Sequence, residues 1–196
     1  MNIKLIIVFI FILFNRNAIS QSVSDLKLVA AAMELTKQEV TYDPSYFSLT
    51  YPMGDVPANK GVCTDVIIRA YRKVGIDLQQ LVHEDMVANF SVYPKNWGLT
   101  STDKNIDHRR VPNLMTFFSR KGKILPITKL TSDYKPGDIV CWNLGGGLTH
   151  IGIVIDKKSS DGTPLIVHNI GGGQVIENCL FNFTIIGHYK YLPADG

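Results

Sequence analysis

The stretch Gly61-Val62-Cys63-Thr64-Asp65-Val66-Ile67-Ile68-Arg69-Ala70-Tyr71-Arg72-Lys73-Val74-Gly75 decides how the chain is read. Cys63, Val66, Ile67, Ala70, Tyr71 and Val74 recur at i, i+3, i+4, i+7, i+8 and i+11, which is one apolar face of an amphipathic helix, and Gly75 ends it. The cysteine stands at the mouth of that helix. Unpaired amides and the helix dipole there, equivalent to about half a positive charge, favour a thiolate. Cys63 is therefore expected as a nucleophile. The competing reading makes it the first residue of the apolar stripe, since cysteine is among the most buried residue types.

Upstream, Ser22 to Val40 carries apolar residues at helical spacing behind a possible Ser24 cap. Tyr42 to Gly61 has prolines, glycines and four aromatic residues but no period, and is expected as a long loop. Downstream, Leu78–Phe90 and the segment from Pro112 to Gly122 suggest two further helices. The pattern then changes to short apolar runs divided by turns: Ile139–Trp142, Thr149–Asp156, Leu165–His168, Val175–Leu180 and Thr184–Tyr191. A helical first half and a stranded second half predict an α+β domain, with N-terminal helices packed on a C-terminal antiparallel sheet.

The stranded half supplies a base. In His150-Ile151-Gly152-Ile153-Val154-Ile155 the isoleucines share one face, and His150 points to the other beside Gly152. A hairpin around Ser159 would set residues whose numbers sum to about 318 opposite one another, making His150 and His168 direct or diagonal neighbours. Nucleophile Cys63, base His150 and orienting residue His168 reproduce the logic of a catalytic triad. Asn169 points the other way by strand parity. The two histidines with Cys141 or His188 would make a metal site, but no third ligand stands at a zinc-type spacing. No metal and no cofactor is expected. His83 and His188 read as structural.

Composition narrows the partners. The chain has 196 residues, 20 Lys+Arg against 17 Asp+Glu, and 45% hydrophobic residues, an ordinary globular profile. Its formal charge of +3 and the lack of a basic, aromatic-interleaved face argue against nucleic acid. Residues 1–20 read as a signal peptide: Lys4, the apolar run Leu5–Phe14, then small residues before Gln21. Cleavage would leave residues 21–196 as one domain, exported to the periplasm or beyond in a bacterium, with no transmembrane segment and monomeric. Three cysteines, an odd number, allow one bridge at most, for which Cys141 and Cys179 are candidates.

The order Cys63 at a helix start, then Thr149-His150-Ile151-Gly152-Ile153-Val154, then Ile166-Val167-His168, resembles the NlpC-type branch of papain-like cysteine peptidases. Further stretches, among them Tyr42-Asp43-Pro44-Ser45-Tyr46, Gly54-Asp55-Val56-Pro57 and Asn105-Ile106-Asp107-His108-Arg109-Arg110-Val111-Pro112-Asn113, resemble the bacterial family called domain of unknown function 1287. That resemblance implies a papain-like fold and a hydrolase site, without a substrate. Where the NlpC branch usually has Ser-Gly after the nucleophile, this chain has Thr64-Asp65.

The expected activity is cleavage of an amide in a peptide or peptidoglycan fragment through a thioester on Cys63. A binding module for cell wall or glycan that keeps the fold without turnover is one alternative. Acyl transfer or ester cleavage by the same triad is the other. For the substrate, Asp65, His108, Arg109 and Arg110 are expected to line or clamp, the arginines by bidentate bonds to a carboxylate. Tyr51 and Asp55 are expected at the cleft.

Overall fold

A computed structural model describes residues 23–192; the signal-peptide reading of residues 1–20 lies outside them. Helix α1 occupies residues 23–35, so Ser24 lies inside the helix and does not cap it. The aromatic segment that follows carries two short strands, β1 (Thr41–Tyr42) and β2 (Lys60–Gly61), which pair in parallel and fasten the ends of the loop together. Chain leaving β2 turns directly into α2 (Cys63–Lys73). Val62 has no side chain that can cap, and Asp65 substitutes by accepting the Val62 N–H at 2.7 Å. Helix α3 (Leu78–Ala88) is capped by Asp77, which accepts from the Gln79 N–H. Helix α4 (Val111–Lys121) carries Pro112 in its first turn, where a missing N–H costs nothing, and ends at Gly122.

The second half forms β3 (Lys123–Ile124), β4 (Ile139–Gly145), β5 (Leu148–Lys158), β6 (Pro164–His168), β7 (Val175–Glu177) and β8 (Thr184–Lys190). They make one six-stranded sheet in the order β3-β8-β4-β5-β6-β7, antiparallel at every pairing. Strand parity divides the core in two. Ile139, Cys141, Ile151, Ile153, Ile155 and Val167 face α1 to α4, sharing one cluster with Cys63, Ile67, Tyr71 and Phe118. Val140, Trp142, Val154 and Ile166 face the other way, where Tyr134, Cys179 and Leu180 cover them. Burial on both faces explains why β4 and β5 read as unbroken apolar runs.

The same parity corrects the cysteine pairing. Cys141 and Cys179 lie in the two clusters on opposite faces of the sheet, and all three cysteines are free thiols. The β5–β6 register also differs slightly from the hairpin arithmetic, because a bulge interrupts the ladder between Val154 and Lys158. Val167 pairs with Ile153, which makes His150 and His168 diagonal neighbours. Among the described residues, no helix is long and apolar enough to cross a membrane.

Candidate active site

Three elements converge on Cys63. Strand β2 delivers it and α2 begins with it. Asn169, just beyond β6, donates from Nδ2 to the Gly61 carbonyl at 3.2 Å and ties the sheet to the loop before the cysteine. Gly61 is closely packed: a Cβ there would come within 3.2 Å of the Asp65 Cβ and 3.3 Å of the Arg69 guanidinium, and both would have to give by a few tenths of an ångström. The side chain of Cys63 is buried, the whole residue being 6% exposed. Burial pushes its thiol up to about 12; the N–H groups of Ile151, Thr64 and Cys63 itself favour the thiolate, while the Asp65 charge opposes it. The helix start therefore acts in the expected direction, and desolvation outweighs it. Cys63 rests as a thiol.

The Ile151 N–H belongs to the residue that follows His150, so the sulfur meets the β5 backbone next to that histidine, while the His150 side chain lies on the other face of the sheet, with Trp142. His150 Nε2 and His168 Nδ1 are 2.8 Å apart, their rings 5.0 Å apart and nearly edge-on. Gly152 makes this reach possible. By register it lies opposite His168, and a Cβ on it would fall 3.3 Å from the His168 Cβ and 2.5 Å from the Ile166 Cγ2. Trp142 lies against the His150 ring at 5.7 Å, its indole N–H donating to the Leu180 carbonyl at 2.9 Å. Burial, and then the neighbouring His168, lower His150 to about 3. Burial also lowers His168, against the pull of Glu177. At neutral pH both rings are uncharged.

The tautomers follow from the far end of this chain of contacts. His168 Nε2–H donates to the Glu177 carboxylate at 3.1 Å, which leaves His168 Nδ1 as the acceptor. His150 Nε2–H then donates to it, and the lone pair of His150 is on Nδ1. A lone pair there is what a base for a thiol requires. Among the described residues Cys63 and His150 share no hydrogen bond: Cys63 packs on the Ile151 and Ile153 face of the sheet and His150 on the Trp142 face, so a direct contact requires movement when substrate binds.

With this geometry in view, comparison with known proteins places the sequence. Residues 29–191 match the family model described as domain of unknown function, DUF1287. The chain belongs to the DUF1287 family. A relative named uncharacterized protein YijF, from Escherichia coli (strain K12), is 53% identical over 171 residues, which is 87% of this chain and 83% of the relative. Among solved structures, a crystal structure of an N-acetylmuramoyl-L-alanine amidase from Bacteroides uniformis superposes with a TM-score of 0.52 at 12% identity, covering 85% of this chain and 97% of that one. A second crystal structure under the same name gives 0.50 at 10% identity, over 85% and 98% of the two chains. The likeness is one of fold: mixed helices and antiparallel sheet.

Other residues expected at the site of this DUF1287 chain have different work. Asp65 and Arg109 are both buried and hold each other, Nε to Oδ1 at 2.9 Å and Nη2 to Oδ2 at 3.0 Å, while Nη1 donates to the Ser45 carbonyl. The pair locks the start of α2 to the Tyr42–Gly61 loop and leaves no free fork for a substrate carboxylate. His108 is buried and lowered to about 3 by desolvation and by Arg109. Arg110 stacks on Trp97 at 4.0 Å. Asp55 is paired with Arg69 at 2.9 Å, in the second turn of α2 beyond Cys63 and not at its mouth. Tyr51 packs edge-on against His83. His83 pairs with Asp107 and His188 with Asp138, each at 2.9 Å, which fits their structural reading.

Four residues of the site have places that the sequence did not assign them. Tyr42 lies close enough to Cys63, Asp65 and Arg109 to feel their charges, and it is partly exposed. Its place next to Gly61 in the β1–β2 pair, two residues before the nucleophile, is the only signal that marks it. Asn169 carried a parity argument against orienting His150, and it positions Gly61 instead. Glu177 and Cys179 flank His168 Nε2 at 3.1 and 3.6 Å, with no motif spacing to announce them.

Proposed function

We propose that this protein is an exported cysteine amidase of papain-like, NlpC-type fold that cleaves an amide in a peptidoglycan peptide. Cys63 is the nucleophile, His150 the general base, and His168 with Glu177 holds the base in its working tautomer. The observation that carries the reading is the His150–His168 contact at 2.8 Å on the strand whose Ile151 N–H meets the Cys63 sulfur. The name of the two B. uniformis neighbours, whose fold is similar, supports an amide of the cell wall as the substrate class.

Because thiol and imidazole rest uncharged, the mechanism is general-base attack and not reaction of a standing ion pair. As Cys63 Sγ adds to the amide carbon, its proton passes to His150 Nδ1, and the growing imidazolium is stabilised through His168 by Glu177. That proton then goes to the leaving amine, giving a thioester. Water, deprotonated by the same nitrogen, releases the acid and restores Cys63. Tyr42 is the side chain near the sulfur that can donate to the developing oxyanion beside the Cys63 N–H.

The test is digestion of defined muropeptides with product masses read by mass spectrometry. Cleavage that disappears in Cys63→Ala and falls about 10²- to 10⁴-fold in His150→Ala is the expected result. The burial of Cys63 favours one rival, a cell-wall binding module. Muropeptide binding without turnover, unchanged in Cys63→Ala, would establish the rival in its place.

A further inference from the structure

The amidase reading uses His168 and Glu177 but gives no work to Cys179, whose sulfur stands 3.6 Å from the same ring nitrogen. His168 Nε2, a Glu177 carboxylate oxygen and Cys179 Sγ all lie within 4.8 Å of one another. We propose that these three groups form a site for one divalent transition-metal ion of the zinc class, and that filling it turns off the base His150. The metal-binding half stands by itself; its effect on Cys63 rests on the reading of His150 as base.

Tetrahedral zinc with its usual bond lengths sets nitrogen and oxygen ligands about 3.3 Å apart, and nitrogen and sulfur ligands about 3.6 Å apart. The observed separations are 3.1 Å and 3.6 Å. Both agree with the tetrahedral values to about 0.2 Å, and the Glu177 oxygen, which lies within 4.8 Å of Cys179 Sγ, closes on the sulfur by rotation of its exposed side chain. Two of the ligands are held rigidly, because His168 is paired with Val175 across β6 and β7 and Cys179 is buried under the sheet. The third, Glu177, has a side chain 51% exposed, so an ion can enter from solvent and keep a water in the fourth position. A mixed nitrogen, oxygen and sulfur set suits zinc and not magnesium or calcium. His168 also meets a further requirement, since its other ring nitrogen faces a fixed partner, His150 Nε2.

Occupancy reverses the tautomers. A metal ion on Nε2 displaces the hydrogen donated to Glu177, so the His168 hydrogen moves to Nδ1 and is donated to His150 Nε2. His150 then carries its own hydrogen on Nδ1, and no lone pair is left there for the Cys63 proton. The two imidazoles keep two hydrogens between them, and the one proton released to solvent comes from the Cys179 thiol as it becomes a thiolate ligand.

Cobalt(II) titration of the whole protein under non-chelating conditions tests the site. A thiolate-to-cobalt charge-transfer band at one equivalent is expected in the wild type and in Cys63→Ser. It should vanish in Cys179→Ser, weaken at least tenfold in affinity in Glu177→Gln, and be displaced by one equivalent of zinc. No band in the wild type, a band that survives Cys179→Ser, or one lost in Cys63→Ser overturns the site. For the switch, zinc should slow iodoacetamide labelling of Cys63 at least tenfold in the wild type and not in Cys179→Ser. Binding without that slowing overturns the switch and leaves the metal site. Metal-free labelling indifferent to His150→Ala overturns the base, and with it the amidase reading, while the cobalt result still stands.

Discussion

Asp65→Asn separates a structural carboxylate from one that binds substrate. In the native protein both Asp65 oxygens take guanidinium bonds from Arg109, at 2.9 and 3.0 Å, and one also caps the Val62 N–H at 2.7 Å. Both side chains are almost fully buried, 3% and 2% exposed. Removing one charge from such a pair costs about 3–5 kcal/mol, because the other charge stays buried without its counterpart. Arg109 keeps its bonds to the Ser45 and Asp43 carbonyls, and asparagine keeps a capping oxygen, so the lower end applies, about 3 kcal/mol. Asp65→Ala also loses the cap, which adds about 1 kcal/mol. With a urea slope of about 2 kcal/mol/M, the unfolding midpoint should fall by about 1.5 M for asparagine and about 2 M for alanine. Moderate salt should change neither shift much, since a buried pair is weakly screened. A midpoint within about 0.3 M of wild type, combined with loss of turnover, would refute the structural assignment and return Asp65 to the substrate pocket.

Three further outcomes follow from the same geometry. Iodoacetamide labelling of Cys63, followed by mass spectrometry against pH, should keep rising through the alkaline range, because burial holds the thiol at about 12; a plateau reached near pH 6 would contradict this. Gly152→Ala puts a methyl group 2.5 Å from the Ile166 Cγ2 and 3.3 Å from the His168 Cβ. It should lower stability by about 1–3 kcal/mol in thermal unfolding and slow turnover by pushing the two histidines apart. His108 and His150 are both lowered to about 3 in the folded protein, against an ordinary value of 6.5. Unfolded chain thus binds protons that the folded chain refuses, so their contribution is complete above pH 6.5 and is lost as pH falls from there toward 3. Each should give up about 1.4 kcal/mol per pH unit in that window, and His108→Gln should flatten the dependence of urea midpoints on pH. Midpoints that hold steady between pH 6 and pH 4 would count against both burials.

Local periodicity carried much of the architecture. Spacing of three and four residues announced α2 with Cys63 at its start, and alternation in β5 put His150 on the face opposite Ile151 and Ile153, where it is found. Proximity of His150 and His168 was legible because one turn joins their strands, so sequence separation nearly fixes the register. The turn's bulge moved that register, and only to a diagonal.

What escaped the sequence depends on chain segments that meet from far away. Arg109 looked like an exposed clamp because nothing within its own stretch shows that Asp65, 44 positions earlier, would take its guanidinium. The Asn169 bond to Gly61 joins residues 108 positions apart. Glu177 and Cys179 became partners of His168 only when β7 folded beside β6. Cys63 is the plainest case. Its position in the sequence determined that amides and a helix dipole would favour the thiolate, since those groups belong to the helix itself. The thiol that results was decided by the sheet closing over it, because desolvation depends on every atom that displaces water and no local pattern records them.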